Sequence, residues 1–281
     1  MDDAPQIGLP DLRFVAVDAL VSHERHDQHR SDPLTQRLRE QGVLRNPPVV
    51  TPLPPDNQRF VVLDGANRAT ALREAGAPHI VVQVVHYGDP GIRLTTWHHA
   101  LSLVPPAQLE RALAAIEGLA YHETDMRHAR AVLARREAIA FLALREQRAI
   151  TLHGVEPHRR NDILNAVVDC YRAQARYYRV TSDSLGEARL AHPDVTALVV
   201  FPHFEPAEIL DLATTGALLP AGITRHVIAW RALRLDVPLE RLARSTEALA
   251  DKNLWLAEWL REKVHQRQVR FYQEPTVLFD E

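Results

Sequence analysis

Asp64-Gly65-Ala66-Asn67-Arg68 is the stretch of this chain best equipped for chemistry. It follows the β-rich run Arg59-Phe60-Val61-Val62-Leu63 and precedes a helical run, Arg68 to Ala75, that Gly76 stops. A strand entering a helix through a glycine leaves the first helical N–H groups without intrahelical partners and aimed at the turn. Those donors, with the positive end of the helix dipole, attract an anion such as a phosphate. Gly65 lets the backbone come close to a ligand, and Arg68 can add a charge-assisted contact to phosphate oxygens. Asp64 could hold a divalent cation, while Asn67 can cap or donate. The alternative is a plain strand-to-helix turn capped by Asp64 or Asn67; Asp-Gly turns are common, and both readings stay open.

A further carboxylate lies upstream in Ser22-His23-Glu24-Arg25-His26-Asp27-Gln28-His29. Histidines at 23, 26 and 29 invite a metal reading, but the His-Glu-x-x-His pattern fails because Asp27 stands at its fifth position. A solvated polar loop is the better reading of the histidines. Glu24 is different: a carboxylate held beside a phosphate turn could act as a base. His98-His99, His122 and His128 read as surface residues, and Cys170 as a small core residue on an apolar helical face.

The elements that must carry these groups read as α/β. Leu12 to Val17, Pro47 to Thr51, Arg59 to Leu63 and Ile80 to Val85 are extended runs, and Pro33 to Gln41 is a short helix stopped by Gly42. Pro105 to Gln147, rich in Ala, Leu, Arg and Glu, reads as one long or two shorter helices, and Pro157 to Tyr178 as another. Ala197 to Phe201 is a strand, Glu205 to Thr214 a helix, Leu219 to Gly222 a turn and Thr224 to Ala229 extended. An amphipathic helix over about Ser245 to Gln266 and a strand from Val269 to Phe279 close the chain. A boundary near residue 100 is expected, with 1–100 as one domain and a helix-rich α/β domain over 101–281 that shares its cleft.

The 281 residues carry 33 Lys+Arg against 36 Asp+Glu, a net charge of −3, which disfavours a general nucleic-acid coat. A single cysteine excludes an internal disulfide framework and any zinc site of several thiolates. The acidic start Met1-Asp2-Asp3-Ala4-Pro5 is no signal peptide, and no apolar run approaches the ~20 residues that cross a bilayer. The expectation is a cytoplasmic protein without a membrane partner.

Leu63-Asp64-Gly65-Ala66-Asn67-Arg68, followed by Ala71-Leu72 and Gly76, resembles the Asp-Gly-x-His-Arg loop of the ParB/sulfiredoxin-like superfamily, and within it the free-serine kinases such as those of siderophore gene clusters. His23-Glu24, Thr95-Thr96-Trp97, Pro220-Ala221-Gly222-Ile223-Thr224-Arg225-His226, Val237-Pro238-Leu239 and Tyr272 to Leu278 are similar blocks in the same order, so the likeness covers most of the chain and is weakest between about 105 and 195. It implies a ParB/sulfiredoxin-like nucleotide-binding domain in 1–100 and phosphorylation of free L-serine to O-phospho-L-serine, with ATP or ADP as donor and Mg²⁺. By the same likeness Glu24 would be the general base and Asp64 the second essential acid, near the metal. Gly65, Ala66, Asn67 and Arg68 would hold phosphates, and Trp97, Thr224, Arg225 and His226 would form the amino-acid pocket, Arg225 suiting a carboxylate. Asn67 departs from the usual His, which removes a titratable, chargeable side chain from the loop. A pyridoxal-phosphate enzyme of siderophore or diaminopropionate-type biosynthesis would use the product.

Three rivals differ in class. A ParB-like nucleotide-binding regulator, even a haem-responsive one, would bring a helix-turn-helix and a basic face, and the sequence offers neither. A sulfiredoxin-type reductase needs a cysteine in the loop, whereas Cys170 lies far downstream. A scaffold without activity is suggested only by Asn67.

Overall fold

The computed structural model describes residues 8–26, 40–145, 147–172 and 175–272. The expected helix over Pro33 to Gln41 falls mainly outside them, as does most of the expected strand from Val269 to Phe279; residues 269–272 are not a strand. The chain divides into two units. One lies within Met1–Val21, His26–Ile92 and Ile228–Glu281, the other within Ser22–Arg25 and Arg93–Val227. A single boundary near residue 100 therefore does not describe the division: the segment bearing Glu24 belongs to the second unit, and the C-terminal segment returns to the first.

In the first unit a five-stranded mixed sheet runs in the order Asp11–Ala16, His79–Val84, Val49–Leu53, Arg59–Asp64 and Leu20–Val21. Arg59–Asp64 is apolar on both faces and buried from Phe60 to Leu63, which suits an interior strand. It pairs antiparallel with Val49–Leu53 and parallel with Leu20–Val21. Helix Ala66–Glu74 follows, burying Ala69, Ala71 and Leu72. The edge strand Asp11–Ala16 is covered by the long helix Leu249–His265, whose Asn253 accepts from the Phe14 N–H at 2.8 Å and donates to the Phe14 carbonyl at 3.1 Å. That side chain occupies backbone groups that a sheet edge would otherwise leave open.

In the second unit six antiparallel strands lie in the order Arg176–Val180, His98–Ser102, Val195–Val200, Ala140–Arg145, Arg148–Gly154 and Leu119–Asp125. Ala100, Phe141 and Leu198 pack against helices Met126–Ala134 and Leu185–Ala191. His99, on the opposite face by strand alternation, packs against Tyr171 of helix Arg160–Arg172. The all-helical expectation for residues 105 to 147 is corrected: Pro106–Ala114 and Met126–Ala134 are helices, but Leu119–Asp125 and Ala140–Arg145 are strands. Residues 140 to 143 are fully buried, and there sheet burial overrides the helix preference of Ala and Leu. Likewise the helix expected to reach Tyr178 stops at Arg172, and Arg176–Val180 is a strand beside His98–Ser102.

Candidate active site

Glu24 is fixed first by backbone. Leu219 N–H donates to the His23 carbonyl at 2.9 Å and Arg25 N–H to the Leu219 carbonyl at 2.8 Å, bridging this segment to the turn before Gly222. Its carboxylate is then clamped by three donors. Oε1 accepts from Thr224 N–H at 2.7 Å and from Thr224 Oγ1 at 2.5 Å; Oε2 accepts from Gly222 N–H at 2.7 Å. Gly222 sits at φ 77°, a left-handed conformation that suits glycine, and a Cβ there would run into the Arg179 guanidinium. Burial pushes the Glu24 carboxyl above its ordinary value, opposed by the Thr224 and Gly222 hydrogen bonds and by the Arg179 charge.

Behind Thr224 lies His23, its Nε2 at 2.9 Å from Thr224 Oγ1. With the hydroxyl proton given to an ionised Glu24, His23 Nε2 must itself carry a proton and donate. His23 is buried and meets His226 edge-on with ring centroids 5.6 Å apart, so the polar-loop reading of this histidine is corrected. His26 is exposed and His29 lies outside the described residues. His98 and His99, expected at the surface, are also buried, because they start a strand interior to the second sheet. His122 and His128 are exposed. Cys170 is half-buried on helix Arg160–Arg172, its thiol pushed up to about 11 mainly by burial.

Strand Thr224–Ile228 separates the remaining pocket candidates. Thr224 and His226 share the Glu24 side; Arg225 points the other way, as strand alternation requires. The Arg225 guanidinium lies 4.7 Å from the centre of the Trp97 ring and lines a cavity of about 740 Å³ with Thr95, His98, Arg130 and Phe201. The structure thus joins Glu24 to Thr224, His23 to His226, and Trp97 to Arg225, but does not bring Arg225 to Glu24.

The first unit holds the strand–glycine–helix turn. Gly65 is the N-cap residue at φ 87°, and no side chain caps the helix, so neither Asp64 nor Asn67 acts as a plain cap. A Cβ on Gly65 would stand 2.9 Å from Arg68 Nη2 and 3.0 Å from Pro48 Cα, so glycine keeps the turn open as well as left-handed. Arg68 Nη2 donates to Asp64 Oδ2 at 3.1 Å, and Arg231 pairs with the same oxygen. Arg231 is a residue that sequence reasoning missed. Buried Gln83 carries its loop, donating to the Trp230 carbonyl at 3.1 Å and accepting from Ala232 N–H at 2.9 Å. The turn therefore presents uncapped helical N–H groups, two guanidinium groups and one carboxylate, a set suited to phosphate. No group of three or more His, Cys, Asp or Glu that could hold a metal occurs among the described residues. Mg²⁺ characteristically takes one or two carboxylates plus substrate phosphates, so Asp64 alone fits such an ion if its arginines turn to the phosphate.

The fold defined by these two units is that of free serine kinases. The chain superposes on a free serine kinase bound to AMP, a glutamate-to-glutamine variant, with a TM-score of 0.72 at 17% identity, covering 86% of this chain and 97% of that one. In sequence it is similar to the ATP-dependent L-serine kinase of Staphylothermus marinus, 32% identical over 88 residues, which are 31% of this chain and 34% of that protein. It is also similar to the ADP-dependent L-serine kinase SerK of Thermococcus kodakarensis, 22% identical over 247 residues, 86% of this chain and 99% of that protein. The chain thus aligns with about a third of the first relative and nearly all of the second. No protein-family model matches it.

Proposed function

We propose that this chain transfers a phosphoryl group from ATP or ADP to the hydroxyl of free L-serine, giving O-phospho-L-serine. The observation that carries the proposal is the Glu24 clamp. A carboxylate offers about four lone-pair positions. Thr224 and Gly222 occupy three, which leaves one directed acceptor for an incoming hydroxyl. Burial raises the proton affinity of that acceptor, as a general base requires.

In the reaction the serine oxygen bonds to the terminal phosphorus, its proton passes to Glu24, and the bridging P–O bond breaks to release the shortened nucleotide. The uncapped turn at Gly65, Ala66 and Asn67, with Arg68, holds phosphate oxygens, while Thr224 and His226 orient the amino acid. Asp64 would hold Mg²⁺ through its carboxylate, and such an ion neutralises phosphate charge when bound. Phosphoryl transfer depends mainly on alignment and charge neutralisation, which a helix N-terminus and arginines supply. Asn67 donates a hydrogen bond where the resembled loop has His, enough to orient a phosphate oxygen. We take the first unit to be the ParB/sulfiredoxin-like nucleotide domain. Trp97, which carries the Arg225 guanidinium, is left outside the amino-acid pocket in this reading.

Among the described residues no helix is long and apolar enough to cross a membrane. A cytoplasmic setting, where nucleotide and free serine are abundant, belongs to the same proposal. So does consumption of the product by a pyridoxal-phosphate enzyme in siderophore or diaminopropionate-type biosynthesis. Incubation with L-serine, Mg²⁺ and either nucleotide, followed by detection of phosphoserine, tests the activity.

A further inference from the structure

We infer that Arg179, rather than Arg225, binds the carboxylate of the amino-acid substrate. The inference rests on the serine-kinase reading and names a substrate contact within it. A serine zwitterion needs a cation for its carboxylate, and guanidinium, with its planar fork of donors, suits that group best. Arg225 looks suited from sequence alone, but it leaves strand Thr224–Ile228 on the face opposite Thr224 and His226 and rests over Trp97.

Arg179 stands on the productive side. It belongs to strand Arg176–Val180, and its guanidinium packs so closely on Gly222 that a single Cβ there would overlap it. Gly222 is also the residue whose N–H holds Glu24 Oε2 at 2.7 Å, and the Arg179 charge is felt at the Glu24 carboxyl. Neighbouring guanidinium groups are already engaged: Arg172 donates to the Ala221 carbonyl at 3.3 Å, and Arg25 pairs with Asp169 at 3.5 Å. The Arg179 side chain has neither ion pair nor hydrogen bond among the described residues, although it is half-buried. Its charge reaches the Glu24 carboxyl without a direct pair, so its donors can take a ligand carboxylate, which offsets part of its desolvation. His99, opposite Arg179 in the strand register, adds no competing charge, since burial and the Arg179 charge keep its ring neutral down to about pH 3. Among the described residues the site therefore sets the Arg179 guanidinium, with no hydrogen bond or ion pair of its own, beside the base Glu24.

Calorimetric titration of L-serine and of L-serinamide, which keeps the amine and hydroxyl but lacks the carboxylate, tests this on wild type, Arg179→Gln, Arg179→Lys and Arg225→Gln. Wild type and Arg225→Gln should prefer L-serine by about tenfold or more, as loss of a charge-assisted pair implies. Arg179→Gln should bind both compounds equally, and Arg179→Lys should restore part of the preference. A purely structural role for Arg179 would weaken both compounds together and leave their ratio intact, which overturns the assignment, as would a ratio that collapses in Arg225→Gln instead. Wild type that favours neither compound yet makes phosphoserine also overturns it while the kinase reading stands. Wild type that makes no phosphoserine removes the kinase reading, and the affinity ratio still decides the role of Arg179.

Discussion

At the residue scale the chemistry turns on how one carboxylate is held. A base works in its deprotonated form, so activity falls as pH drops through its pKa; burial raises the Glu24 value, so the acid limb lies above the ordinary carboxyl value of 4.5. The Thr224 hydroxyl hydrogen bond counteracts burial. Thr224→Val removes that donor while keeping shape and backbone N–H, and the acid limb of kcat/KM should then move to higher pH. A pH–rate profile of the two proteins checks this, and an unmoved or acid-shifted limb would remove Glu24 from the titrating role. Glu24 was legible as a candidate because a carboxylate is a recognisable base. Its clamp was not, because Thr224 lies 200 residues away in the chain. His23 was hidden similarly: three histidines in a polar run look solvated, and only the contact with Thr224 shows that one is buried.

At the element scale the strand–glycine–helix turn was the most readable feature, since its strand, glycine and helix all lie between Arg59 and Gly76. Arg231 was invisible for the opposite reason, reaching Asp64 across 167 residues on a loop pinned by a buried glutamine. Residues 140–145 were misjudged because Ala and Leu favour helices when local preference alone is weighed, whereas sheet burial decided their state. Leu119–Asp125 is an exposed edge strand, set by its antiparallel pairing with Arg148–Gly154, which local preference does not show. Within the turn Asn67 has a side chain fit to orient an oxygen but not to carry charge. Asn67→His should therefore change turnover by less than about tenfold, since the exchange retains a hydrogen-bond donor. Steady-state kinetics decide it: a rise of several orders of magnitude would mean that the native turn lacks a charge the reaction needs.

At the scale of the whole molecule the chain enters each unit more than once. Val21, the last residue before the Ser22–Arg25 segment of the second unit, pairs with Val61 inside the first. The C-terminal helix was readable from its amphipathic pattern, but its return to the first strand was not, because Asn253 and Phe14 are 239 residues apart. Asn253→Ala leaves the Phe14 N–H and carbonyl without their partner and should cost about 1–3 kcal/mol of stability. Urea denaturation monitored through Trp255, which packs near Phe14 with ring centroids 6.3 Å apart, should show a lower midpoint. An unchanged midpoint would mean that Asn253 contributes nothing to holding the strand.

Phosphoserine formation from free L-serine, measured side by side for wild type and Glu24→Gln with Mg²⁺ and either ATP or ADP, bears on all three scales at once. Phosphoserine with at least one nucleotide in wild type, and none in a Glu24→Gln protein that still binds nucleotide, is the predicted result. Wild type silent with both donors, or Glu24→Gln as active as wild type, would contradict it.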